Sequence, residues 1–271
     1  MERTILNKTP NYDYIISVYK KLILQSKIPV SSYLGDCSEK GMYFDYKGVA
    51  ELFKYNFDLI PSRCEPIIKM MKQYLKTKSL KGLSILDMCC GFGAMLVYIY
   101  LKEMLHIATG IDSNYLRINI FNKIIKKCPN LHLNAICGDV NELPFYCNNF
   151  DIIMIIDSFH YANMDRKRIL AQVYEILKPS GIFLIKVVNR IYPKQFFGLY
   201  GINYLLRRFN LKYANYRVIL STYLNQNVPS PFLVKRMMRN MGLKNIMICT
   251  PRGKQGIEAY LHSHFIAMGQ K

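Results

Sequence analysis

The stretch that most constrains the fold is Leu83 to Ala94, Leu-Ser-Ile-Leu-Asp-Met-Cys-Cys-Gly-Phe-Gly-Ala, where a short apolar run ends in an acid and then a glycine-containing turn. Ser84 to Met88 is too short for a helix and is bounded by Gly82 and by the turn, so it reads as a buried strand. Gly91 and Gly93 remove side chains where the backbone must bend or admit a ligand. The helix expected next, Ala94 to Met104, turns its N-terminal N–H groups towards the same point. A Gly-x-Gly turn also serves as a plain strand-to-helix connection. The dinucleotide fingerprint needs three glycines, and neither frame supplies them: one runs Cys89, Gly91, Ala94 and the other Gly91, Gly93, Leu96.

From Gly82 onwards strands and helices alternate. Strand Ser84 to Met88 leads to helix Ala94 to Met104, strand Ile107 to Ile111 to helix Tyr115 to Lys127, and strand His132 to Cys137 to a loop around Leu143-Pro144-Phe145. Phe150 to Ile156 is the fourth strand, Asp165 to Leu177 the next helix and Gly181 to Val188 the fifth strand. After helix Phe232 to Met241, Asn245 to Cys249 and Tyr260 to Met268 close the pattern as a pair. The alternation predicts an α/β fold with a doubly wound, mostly parallel seven-stranded sheet, whose ligands bind beyond the carboxyl ends of the strands.

Ahead of this core (81–271), residues 1–80 hold two helical patterns, Tyr14 to Gln25 and Cys64 to Leu75, and are expected to form an N-terminal helical lid. The loop between them carries Tyr43-Phe44-Asp45-Tyr46. It either closes the site or is a solvated connector with buried rings. Residues 190–227 form an aromatic and basic insertion before the last two strands, expected to cover the acceptor pocket with the lid.

Asp87 is followed by x-x-x-Gly-x-Gly, and acids recur at later strand ends. Gly110-Ile111-Asp112 places a carboxylate where it can accept two hydrogen bonds from a ribose diol, with Ser113 beside it. An NAD enzyme would use the same acid. The third strand discriminates, with Cys137-Gly138-Asp139-Val140 followed by Leu143-Pro144-Phe145. Together with Phe150 to Tyr161 and with Leu177-Lys178-Pro179-Ser180-Gly181, these motifs resemble the class I S-adenosylmethionine-dependent methyltransferases, a Rossmann-like family, and more loosely the ubiquinone/menaquinone C-methylating type. The resemblance covers roughly Leu83 to Leu184. It implies S-adenosylmethionine as cofactor, with Asp87, Cys89, Gly91 and Gly93 at the turn, Asp139 on the adenine amino group, the Val140 backbone on a ring nitrogen and Asp157 at the methionine end. Two positions depart from the family: Cys89 and Ser180 stand where most members have glycine.

Direct displacement at a sulfonium needs alignment, exclusion of water and sometimes removal of a proton. His160 is the candidate base, since an imidazole titrates near neutrality, with Tyr161 a secondary candidate; the alternative is a buried ring that orients the loop. Asp157-Ser158-Phe159-His160 lacks both the Asp/Asn-Pro-Pro-aromatic motif of amino-methylating DNA enzymes and the Pro-Cys of C5-cytosine enzymes.

The net charge is +19, and from Ile176 onwards fifteen lysines and arginines face a single acid, Glu258. In the insertion, Phe196, Phe197, Tyr200, Tyr204 and Phe209 interleave with Lys194, Arg207, Arg208, Lys212 and Arg217. Such a segment suits an anionic membrane surface, suits stacking on single-stranded RNA, or forms a packed lid with a solvated basic rim. The expected acceptor is small or lipid-like, with RNA methylation and a catalytically silent binding subunit as alternatives. Eight cysteines without Cys-x-x-Cys or zinc-like spacing point to reduced thiols and no metal. With no signal-peptide pattern in Met1 to Asp13 and no apolar run of about 18 residues, the expected location is cytoplasmic, with peripheral membrane contact.

Overall fold

A computed structural model describes residues 12–25, 58–160, 163–191 and 228–271. They fall into two compact units, Met1–Asp139 and Val140–Lys271.

In the first unit, β1 (Ser84–Met88), β2 (Ile107–Asp112) and β3 (Leu133–Cys137) pair in parallel in the order β3-β2-β1. All five residues of β1 are buried, as expected for a strand covered on both faces. The register sets Asp87 opposite Gly110 and Asp112 opposite Cys137, so the acids gather at one end of the strands. Helix α1 (Tyr12–Gln25) precedes α2 (Ile60–Leu75), while α3 (Ala94–Glu103) and α4 (Tyr115–Lys127) follow β1 and β2. Helix α2 starts four residues before the expected Cys64, because Pro61 fits the first turn, where its missing N–H is no loss. Asn114 caps α4 by accepting from the Arg117 N–H at 3.1 Å. Helix α1 packs on α3 and α4 through Ile15, Ile16 and Tyr19, and Lys20 pairs with Asp58 at 2.7 Å.

In the second unit, β4 (Phe150–Ile156) is parallel to β5 (Leu177–Val188), and β7 (His264–Gln270) runs antiparallel between β5 and β6 (Lys244–Cys249), giving the order β4-β5-β7-β6. Helix α5 (Arg166–Ile176) is capped by Asp165, which accepts from the Lys167 and Arg168 N–H groups, and α6 (Pro231–Asn240) by Ser230. Strand β5 begins four residues earlier than expected. The Lys-Pro-Ser-Gly segment joins it across a register shift, and Ser180 is pinned by its N–H to the Lys271 carbonyl and by Gln270 Nε2 to its own carbonyl. The last strand starts later than expected, because Ile257–Leu261 forms a short helix, α7. Its end is held from a distance: fully buried Asn189 donates through Nδ2 to the Tyr260 and His262 carbonyls at 2.7 and 2.9 Å. Orphan carbonyls at a helix end need such a partner, and local periodicity does not reveal it.

Candidate functional site

In the first unit, the turn after β1 is held by hydrogen bonds to several elements. The Cys90 N–H donates to the Ile111 carbonyl at 3.1 Å, the Gly93 N–H to the Cys90 carbonyl at 2.9 Å, and the Gly91 N–H to Asp112 Oδ2 at 2.8 Å. Asp112 Oδ1 accepts from the Asn114 N–H at 2.9 Å. An ionised carboxylate offers about four acceptor sites, so after these two backbone bonds it retains capacity for a vicinal diol. At Gly91 (φ +58°) an added Cβ would meet nothing within 4 Å, which makes the turn an open cradle. At Gly93 (φ +74°) a Cβ would lie 2.3 Å from the Phe121 ring, so this glycine lets α4 close against the turn. Cys89 takes φ +62°, the conformation glycine adopts easily, so the turn keeps its shape despite the substitution.

Asp87 is buried beneath this turn, and burial, reinforced by the Asp112 carboxylate, pushes its carboxyl well above the usual range. Such a group gains when a cation arrives. Burial likewise pushes the Cys90 thiol well up, with Asp87 and Asp112 adding to the effect, which makes it a poor nucleophile. Ser113 is exposed and its carbonyl accepts from Cys137 Sγ at 3.8 Å; the Gly138 N–H donates to the Asp112 carbonyl at 3.1 Å. Asp139 is exposed just past β3, and Val140 is buried. The first unit thus brings Asp87, Cys89, Gly91, Gly93, Asp112 and Ser113 to the carboxyl ends of its strands, with Asp139 following β3.

In the second unit, Asp157 follows β4 in the left-handed conformation at φ +56°. Its Oδ2 forms an ion pair with Lys186 Nζ, and its N–H donates to the Lys186 carbonyl at 2.8 Å. Its Oδ1 is buried with no hydrogen-bond partner among the described residues. A non-glycine residue at positive φ with an unshared buried oxygen is the kind of outlier that functional sites retain. Lys186 lies opposite Ile266, and Val188 opposite His264, so Lys186 and His264 share one face of the sheet. His160 is buried in the loop after β4, where Arg166 donates to the Phe159 carbonyl at 3.2 Å and lies 5.5 Å from the Phe159 ring centroid. Burial pushes both His160 and His264 below the ordinary imidazole value; the Asp157 carboxylate opposes this in each case.

Tyr161, the loop Tyr43 to Tyr46 and most of the insertion, residues 192–227, lie outside the described residues. Lys186 and His264 escape a reading based on strand ends. The available signal is a lone lysine within the apolar run Ile182 to Val188. Tyr19 has no such signal, since it reads as one more apolar position of α1. Among the described residues, no group of three or more His, Cys, Asp or Glu is placed to hold a metal ion.

Seven strands in this mostly parallel arrangement, with acids and glycines at the strand ends, define the Rossmann-like methyltransferase fold. A geranyl diphosphate methyltransferase solved with GPP and sinefungin superposes with a TM-score of 0.57 at 14% identity, over 93% of this chain and 98% of that one. Residues 85–181 match the family described as Methyltransferase domain. The phthiotriol/phenolphthiotriol dimycocerosates methyltransferase of Mycobacterium tuberculosis (strain H37Rv) is 35% identical over 108 residues, 38% of this chain and 37% of that protein. The demethylmenaquinone methyltransferase of Listeria monocytogenes (strain EGD-e) is 29% identical over 118 residues, 42% of this chain and 48% of that protein. The chain therefore spans less than half the length of these two relatives. Motif turns, fold and family match agree: residues 85–181 carry a methyltransferase domain on a Rossmann-like methyltransferase fold.

Proposed function

We propose that the chain transfers the methyl group of S-adenosylmethionine to a small or lipid-like acceptor by direct displacement. The observation that carries this reading is the Gly91 cradle joined to the Asp112 carboxylate, a pair suited to a ribose beside a tightly turned backbone. In this reading Asp112 accepts from the ribose hydroxyls, Asp139 from the adenine amino group, and the Val140 backbone holds a ring nitrogen. In the first unit Asp87 favours the ammonium of the methionine end because burial leaves it in want of a cation; in the second unit the unshared Oδ1 of Asp157 suits a cationic group of the cofactor. Bound S-adenosylmethionine would supply a methyl group on a sulfonium, and the protein's part is to orient, to exclude water and to take a proton where the acceptor carries one. His160 is the group for that last task, since its lowered pKa leaves the imidazole neutral and able to accept.

Turnover of labelled methyl donor in extract, separated into lipid, RNA, protein and small-molecule fractions, tests the reading. Because His160 must be deprotonated to act, the rate should rise with pH through a value below about 6.5, the ordinary imidazole value, and stay flat through neutrality. His160→Gln should lower the rate by about 10²-fold and remove this rise. A wild-type profile in that variant removes His160 from the chemistry. Label in the RNA fraction alone would favour RNA as acceptor, and no label in any fraction would favour a silent binding subunit.

A lipid-like acceptor is supported by the names of the relatives, which give dimycocerosates and demethylmenaquinone as acceptors. The aromatic and basic composition of 192–227 supports the same reading and extends it to contact with an anionic membrane surface. Among the described residues, no helix is long and apolar enough to cross a membrane. The protein should cosediment with anionic vesicles over neutral ones, and changing Phe196, Phe197 and Tyr200 to Ser should weaken this about tenfold or more. Vesicle binding indifferent to those changes, or RNA binding without vesicle preference, ends the membrane reading.

A further inference from the structure

We propose that Tyr19 is a positioning residue for the cofactor turn, so that docking of α1 and binding of the cofactor are energetically coupled. This rests on the methyltransferase reading above.

The Tyr19 hydroxyl donates to the Phe92 carbonyl at 2.8 Å, across 73 residues of chain. That carbonyl lies just outside the hydrogen-bond ladder of α3, whose first bond runs from the Val97 N–H to the Gly93 carbonyl at 2.9 Å. The amides of Cys90, Gly91 and Gly93 are held by β2, by Asp112 and within the turn itself, as described above. Tyr19 therefore adds a second restraint on the peptide that joins Phe92 to Gly93, whose N–H the Cys90 carbonyl already holds, and it is supplied by an element remote in sequence. Rotation of that peptide would re-aim the N–H groups at the start of α3, beside the Gly91 cradle.

The donor is itself firmly placed. Tyr19 and Ile15 are wholly buried, one helical turn apart, so the ring cannot swing out without undocking that face of α1. Tyr12, one turn further back, meets the Tyr98 ring of α3 edge-on at 4.8 Å. Burial pushes the Tyr19 phenol well above its usual value, so it remains a donor throughout the physiological range. Because coupling is reciprocal, whatever factor the docked helix contributes to ligand affinity, the ligand returns to the docking of the helix.

The test uses the full chain with S-adenosylhomocysteine as probe and two variants of α1. Tyr19→Phe removes the hydroxyl and keeps the ring, whereas Ile15→Val trims the same buried face without touching the turn. Calorimetry should show Tyr19→Phe binding about three- to tenfold more weakly and Ile15→Val binding as wild type, the size expected for one lost hydrogen bond. Amide exchange of the protein alone should be faster at Cys90 to Gly93 in Tyr19→Phe only. Adding the probe to wild type should slow exchange in α1. Wild-type affinity in Tyr19→Phe, or an equal loss in Ile15→Val, overturns the coupling. If wild type does not bind the probe, the methyltransferase reading falls and the coupling with it, while exchange at Cys90 to Gly93 still decides whether Tyr19 positions the turn.

Discussion

Asp112→Ala is expected to weaken binding of S-adenosylhomocysteine by roughly 10²- to 10⁴-fold while the chain remains folded. The carboxylate lies at the end of β2, about 5% exposed, where the Gly91 and Asn114 N–H groups hold its two oxygens at 2.8 and 2.9 Å. Each hydrogen bond from a ribose hydroxyl to a charged acceptor is worth about 1.5–3 kcal/mol, so losing two weakens binding by roughly 10²- to 10⁴-fold. The substitution also frees the Gly91 N–H and loosens the turn, which adds to the loss. Asp112→Asn keeps an acceptor oxygen but not the charge, and should fall between the two. Calorimetry on wild type and both variants, with thermal unfolding as the check on folding, decides the matter. Affinity unchanged in Asp112→Ala would mean that the ribose is not held here and would remove the central support of the cofactor assignment.

Gly93→Ala should destabilise the protein by about 2–5 kcal/mol, from two costs of different origin. At φ +74° any L side chain meets its own backbone, at about 1–2 kcal/mol. The new Cβ would also lie 2.3–2.5 Å from three atoms of the Phe121 ring, which is wholly buried on α4 and cannot swing into solvent; overpacking of this kind costs about 1–3 kcal/mol. The two parts are separable. In a Phe121→Leu background the overlap shrinks and the backbone strain remains, so the penalty for Gly93→Ala should fall to about 1–2 kcal/mol. Urea unfolding of the four proteins measures this cycle. Gly93→Ala as stable as wild type would show that the turn has room that the close approach of Phe121 denies.

Much of the fold is legible in the sequence, because the signals are local. Ser84 to Met88 is an apolar run too short for a helix, and it forms a strand buried at every position. The helices expected from Asp165 and from Phe232 begin within one residue of those positions, where the Asp165 and Ser230 side chains cap them. Two boundaries depart from the local pattern because their partners are remote. The fifth strand extends back to Leu177, with Ser180 held by the Gln270 side chain and the Lys271 backbone. Tyr260 and Leu261 lie in a helix whose end is satisfied by Asn189, some 71 residues away.

The site divides in the same way. The sequence by itself determined which chemical groups arrive at the strand ends, since Asp87, Gly91, Gly93, Asp112, Asp139 and Asp157 each sit at a set distance from a strand and a strand's direction carries them there. Only the tertiary structure decided how those groups are held and charged. That Asp112 is clasped by two backbone N–H groups, that Asp157 pairs with Lys186, that burial pushes His160 and His264 below the ordinary imidazole value, and that Tyr19 reaches the Phe92 carbonyl all depend on contacts between distant residues. Strand periodicity places a side chain on a face and at an end, but its protonation and its partners follow from desolvation and from the neighbours that packing brings within hydrogen-bond reach.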